Sequence, residues 1–164
     1  MGIALDCGTN LSGIKAIYLA NDASVGDVTV SDNEISAIDA SAGTFKKYVP
    51  AKNTGSLTKT LTKDESTGVM YYTNEAVAQF NKMETAKRTE LSNIDRGQFK
   101  AIVLDNNGKY WFLGYDNYAY ATNATGETGA QRTDANQYTI EISDESEGFP
   151  YEVDPTAITD IVEA

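Results

Sequence analysis

The side chains best equipped for chemistry in this chain are carboxylates, and their spacing decides what they can do. The run Asp144-Glu145-Ser146-Glu147-Gly148 resembles the opening of a calcium loop. Such a loop needs oxygen ligands at alternate positions, glycine sixth and a closing glutamate twelfth. Here Gly148 comes fifth, so the run reads as an acidic turn. Asp105-Asn106-Asn107-Gly108 fails the same test. The chain has no histidine, which removes Ser-His-Asp and Cys-His catalysis, His-ligated zinc and haem, and His-based pH switching together. Cys7 is the one cysteine; it can form no internal disulfide and reads as an inert thiol. A glycosidase needs two carboxylates at a set separation, one with a raised pKa, and no motif marks such a pair. The expectation is a protein that is not an enzyme, with no catalytic residues, no metal and no cofactor.

A second group of side chains could bind sugar. Tyr110, Trp111, Phe112, Tyr115, Tyr118 and Tyr120 crowd one segment, with Asp116 and Asn117 able to bond hydroxyls. Aromatic rings also fill sheet cores, because they fit the pleated surface and bury large areas. Core filling is the favoured reading, and a carbohydrate-binding β-sandwich module is the alternative function. The formal net charge of −11 argues against gripping a phosphate backbone or an anionic membrane surface. No apolar run approaches the roughly 18 residues of a membrane span, and the first residues lack the basic and apolar parts of a secretion signal. Asn10-Leu11-Ser12 and Asn123-Ala124-Thr125 match the glycosylation pattern, as chance allows in a chain rich in Asn, Ser and Thr.

The elements that must position these groups are mostly strands. Residues 99–114, FKAIVLDNNGKYWFLG, spell a β-hairpin. Two apolar runs flank Asn107-Gly108, the pair that favours a type I′ turn, so this pair should be the tip and Trp111 should lie in a strand with most of its ring buried. Both runs are apolar on both faces, which places them centrally in a sheet covered on each side. Residues 13–20 read as a first strand, with Ile14, Ala16 and Tyr18 on one face and Ile17 and Leu19 on the other. Short strands follow at 28–30 and 35–38, with Asp32-Asn33 as the turn, and at 43–49. Residues 69–80 read as a long strand, 83–94 as a helix closed by Gly97, 115–122 as a strand, 125–129 as a loop, and 137–142 as an alternating strand. Residues 143–148 form an acidic turn, 151–153 a last strand, and 158–164 a short acidic tail. In between, Leu57, Thr58, Lys59, Thr60, Leu61 and Thr62 alternate with period two. Leu57 and Leu61 are the only large apolar side chains between Pro50 and Val69. That segment, 51–66, is expected to be an arm or loop that packs on a neighbouring subunit and not on its own core. The chain, 1–164, reads as one domain.

In sequence order these features are an N-terminal strand set, a Thr/Lys-rich arm, a strand, a helix, IVLDNNGKYWFLGYDN, a loop with Thr128-Gly129, and Gln137-Tyr138-Thr139-Ile140-Glu141-Ile142. This order resembles tail tube and related ring-forming structural proteins of tailed bacteriophages, in particular those of Bacteroides-type and crAss-like phages. The resemblance spans 99–142 most fully. It implies a mainly β, tail tube-like sandwich or barrel with one short helix and an extended arm, and no active site. It also implies a virion protein, made in the host cytoplasm, that forms a sixfold or twelvefold ring in the viral tail or head–tail connector. Its partners would be itself and neighbouring tail or connector proteins. DNA would pass through during ejection without specific binding. The lumen would then be net negative, and Lys46, Lys47, Lys52, Lys59, Lys63, Lys82, Lys87 and Arg88 would point elsewhere.

Overall fold

The computed structural model describes residues 8–162; Cys7 lies outside that range. The chain is mainly β, as its patterning requires. In chain order the strands are β1 (Ile14–Asn21), β2 (Val25–Ser31), β3 (Glu34–Ala40), β4 (Lys46–Tyr48), β5 (Ser56–Lys63), β6 (Met70–Asn81), β7 (Phe99–Asp105), β8 (Tyr110–Leu113), β9 (Tyr120–Glu127), β10 (Gln137–Ser146) and β11 (Tyr151–Val153). Helix α1 (Thr85–Ile94) precedes β7, and a single turn of helix, α2 (Pro155–Ile158), follows β11. They build two open sheets, a seven-stranded one in the order β2-β3-β11-β8-β7-β1-β4 and a four-stranded one in the order β5-β6-β10-β9. No helix among the described residues is long and apolar enough to cross a membrane.

The core follows from the continuous apolar runs of β1 and β7, which lie side by side in the larger sheet. Ile17, Leu19, Ala101 and Val103 face the smaller sheet, where they meet Ala76 and Ala78 of β6, Ile140 and Ile142 of β10, and Leu91 and Ile94 of α1. Ala16, Tyr18, Ala20, Ile102 and Leu104 face the other way and meet Ile35, Phe45, Phe112, Val153, Ile158 and Ile161. Five strands of one sheet contribute to this second cluster, so the sheet curls around it, with α2 filling the opening. Burying each large aliphatic side chain contributes about 1.5–3 kcal/mol, and these two strands bury them on both faces. The strand-alternation expectation fails only at Ile14. The β1–β7 register shifts between Ile14 and Ala16, and this irregularity turns Ile14 onto the Ile17 side.

Other expectations are corrected at the ends of elements. The central hairpin is present, with Ala101 opposite Leu113 and Leu104 opposite Tyr110, but its turn is not type I′. Of the loop residues 106–108 only Gly108 has positive φ, at 83°, and its N–H donates to Asp105 O at 3.2 Å while Asp105 N–H donates to Lys109 O at 2.9 Å. This is a three-residue loop, a type I turn ended by a left-handed glycine. Asp105 holds it: its Oδ1 accepts the Asn107 and Lys109 N–H groups at 2.8 and 2.9 Å. Positive φ at both central residues occurs instead at Asp32 and Asn33, between β2 and β3.

Of the strand expected at 115–122 only residues 120–122 are strand; residues 115–118 cross between the sheets. Ala119 exchanges backbone hydrogen bonds with Phe99, and β9 then runs through 120–127, including residues expected in a loop. The acidic turn expected at 143–148 begins as the end of β10, which runs to Ser146, and only the residues after it bend away. Residues 158–162 are not a solvated tail: Ile158 and Ile161 are buried and Val162 bridges to Phe45. Helix α1 matches its expectation. Gly97 follows it without positive φ; what requires glycine there is the Phe99 ring, with which a side chain would collide.

Candidate functional site

The four-stranded sheet carries the features that point outward. Its two edge strands, β5 and β9, are eight residues each. Each pairs on one side only, β5 with β6 and β9 with β10. The residues singled out in the sequence, Leu57 to Thr62, make up most of β5. The structure places them differently from a free arm: β5 pairs with its own β6 along its full length, and Leu57 packs against the chain's own core. That corrects the expectation that this segment stays off its own core. The cause is the period-two pattern itself, which turns Leu57 inward while Thr58, Thr60 and Thr62 face out. Leu61 remains 48% exposed beyond the reach of the larger sheet.

The registers sort the sheet into two faces. Rows across the outer face read Ser56–Val77–Glu141–Asn123, Thr58–Glu75–Ser143–Tyr120 and Thr60–Thr73–Glu145. Glu127 lies opposite Gln137 further along. Hydroxyls, amides and four glutamates therefore line this face, and none of its residues is Lys or Arg. Lys59 and Lys63 of β5 belong to the inward rows. Lys46, Lys47, Lys52, Lys82, Lys87 and Arg88 lie outside the sheet's strands, on β4, in connections or on α1.

The inner face carries a polar row that sequence reasoning missed. Lys59, Asn74 and Asp144 lie directly across from one another on β5, β6 and β10. The Lys59 ammonium sits 3.7 Å from the centre of the Trp111 ring, a cation–π contact. Burial lowers the Lys59 pKa, and the Asp105 carboxylate opposes that shift. Trp111 Nε1 donates to Asp105 Oδ2 at 3.0 Å, so the hairpin turn, the ring and the lysine form one unit. Trp111 lies in β8 and is partly buried, packed against the first core cluster as well as under the Lys59 ammonium. Asn74 and Asp144 are buried. The signal for Asp144 was available: Tyr138, Ile140 and Ile142 alternate inward, and the next step of two is Asp144.

The aromatic segment does not form one sugar-stacking platform. Trp111 lies under Lys59 and Phe112 is buried in the second cluster. Tyr115 packs against Tyr151 with ring centres 4.9 Å apart, and Tyr118 against Tyr120 at 6.3 Å. Asp116 is engaged by the Glu147 N–H at 2.9 Å. Asn107 holds the preceding segment to the hairpin tip, its Oδ1 accepting the Leu11 N–H at 2.7 Å. Among the described residues no group of three or more His, Cys, Asp or Glu side chains could hold a metal ion.

No family model matches the chain, and no curated protein matches it. Among solved structures, the SPP1 tail tube determined by solid-state NMR and electron cryomicroscopy is similar, with a TM-score of 0.42 and 12% identity over 93% of this chain and 84% of that one.

Proposed function

We propose that the chain is a ring-forming structural subunit of a phage tail or head–tail connector, joined copy to copy through its four-stranded sheet. The observation that supports this reading is the pair of open eight-residue edges on opposite sides of one sheet. An unpaired edge leaves a row of backbone N–H and C=O groups ready to pair with another chain. The β5 edge of one copy and the β9 edge of the next are different surfaces, so their contact is head-to-tail, and such contacts close into a ring when the rotation permits. Strand direction agrees. The four strands alternate in direction, so β9 and the β5 of a copy rotated about an axis along the strands meet antiparallel. The larger sheet covers the inner face, which leaves the glutamate-bearing outer face for the lumen. Phosphates passing such a wall find no lasting contact, since repulsion acts over about 8–10 Å in physiological salt. A sixfold or twelvefold ring within the virion belongs to the same proposal, on the strength of the family resemblance.

Light scattering and negative-stain images of the purified protein test it. Rings or tubes are expected, with no retention of DNA at about 0.15 M salt. A monomer that shifts on a glycan array would replace this reading with the carbohydrate-binding one. Rings whose inner wall carries the lysines of β4 or α1 would refute the conduit.

A further inference from the structure

Asp144 is the buried ionisable group that ring formation leaves unused. It is 2% exposed, and its cross-strand partner Asn74 is 1% exposed. Side chains in such register on one face start about 5 Å apart. Asp144 Oδ2 accepts the Gly114 N–H at 2.7 Å. Its Oδ1 has no donor, and neither has Oδ1 of Asn74. One N–H of the Asn74 amide donates to Ser146 Oγ at 2.8 Å, and that hydroxyl donates to Gly148 O at 2.7 Å. Turning the amide round would set its oxygen against the Ser146 hydroxyl and take that donor from Gly148 O. Two buried acceptors side by side are one proton short, and buried acceptors without donors are costly.

We infer that Asp144 is held as the neutral acid and donates its Oδ1–H to Asn74 Oδ1, forming a clip between β10 and β6 that opens when the proton leaves for solvent. Its other oxygen links the two sheets, because Asp144 belongs to β10 and Gly114 follows β8. From the other side Lys100 Nζ donates to the carbonyls of Gly114 and Asn117, so the crossing into β9 is fastened at both flanks.

The charged surroundings are mixed. On β5 the Lys59 ammonium lies beyond Asn74, turned toward Trp111 and Phe149. Glu75 of β6 points to the opposite face. Asp116 and Glu147, from the two loops beside Asp144, share a cavity wall with it, along with Tyr115 and Tyr151. From the larger sheet, Asp105 faces Lys59. Burial, first of all, pushes the Asp144 carboxyl above the ordinary carboxylate value; Asp116 adds to this, and the Gly114 N–H and the Asn74 amide oppose it. The sign follows from linkage. Below the ordinary carboxylate value the folded and unfolded chains both hold this proton, and the clip is intact. As pH rises above that value the unfolded chain releases the proton first, so stability falls until the folded carboxyl has ionised as well.

The inference does not rest on the ring reading, because its test follows one carboxyl in the full chain. The carbon-13 signal of the Asp144 carboxyl, titrated from about pH 3 to about pH 9, is expected to keep its neutral-acid position after the exposed carboxylates have ionised. Titration together with the exposed carboxylates would overturn the assignment. Asp144→Asn supplies the second test, since its amide donates to Asn74 and its oxygen accepts from Gly114 without a titrating proton. This variant is expected to melt at or above the parent at alkaline pH, with the difference shrinking toward acid pH. A variant that melts below the parent at every pH would overturn it.

Discussion

In the seven-stranded sheet, β1 and β7 bury apolar side chains on both faces. In the four-stranded sheet, β6 buries Asn74, Ala76 and Ala78, β10 buries Ile140 and residues 142–144, and β5 and β9 bury none fully. The larger sheet is where hydrophobic burial holds the chain together. The smaller one keeps a polar outer face and two unpaired edges, which contribute little to the stability of one copy and offer much to a second. The inner polar row lies between these regimes, where the smaller sheet runs out of apolar residues.

The comparison breaks first in the larger sheet. Ile102→Ala removes a fully buried side chain and should cost about 2–5 kcal/mol in denaturant unfolding; a loss below that range would mean that the second cluster is loosely packed. Next is the hairpin that joins the two central runs. Gly108→Val forces a β-branched residue into φ 83°, with open space around the new Cβ. Backbone strain alone should therefore cost about 1–3 kcal/mol, read as a lower melting temperature. Lys59→Met probes the polar row. It keeps an unbranched stem over Trp111 and removes the cation, so the expected loss is about 0.5–1 kcal/mol, with a change in Trp111 fluorescence. Smallest in stability and largest in assembly is the pair Thr60→Lys and Thr62→Lys on the β5 edge. These exposed positions should shift unfolding by no more than about 0.5 kcal/mol. Charge on an edge blocks strand pairing, so rings seen for the parent should disappear. Rings that survive would move the assembly contact away from β5.

The central hairpin was legible because two local signals agreed, continuous apolar runs and an Asn-Gly pair. Its turn type was misread because Asp105, three residues ahead of the glycine, captures the loop N–H groups. The type I′ geometry went to Asp32-Asn33, where no glycine advertises it. The arm was read correctly as period two and wrongly as detached. Thin apolar content described its exposed residues well but hid Leu57, whose contact depends on where β7 and β8 lie. Residues 158–162 looked like a tail because the short apolar pairs Ala157-Ile158 and Ile161-Val162 are broken by Thr159-Asp160, and only the curl of the larger sheet supplies the cavity they fill.

Composition and alternation alone determined that the chain is mainly β, that β1 and β7 are central, that β10 turns Tyr138, Ile140 and Ile142 to one side, and that histidine chemistry is impossible. These properties are local: period, propensity and residue type fix them before any distant contact forms. Which strands became edges, which face of β6 and β10 stayed open, and which partners the inward-pointing Asp144 met were decided by tertiary structure. Burial and pairing are relations between segments far apart in sequence. Asp144 meets Asn74 across 70 residues of chain and Gly114 across 30, and no local pattern encodes that a carboxyl on a strand will find itself between them.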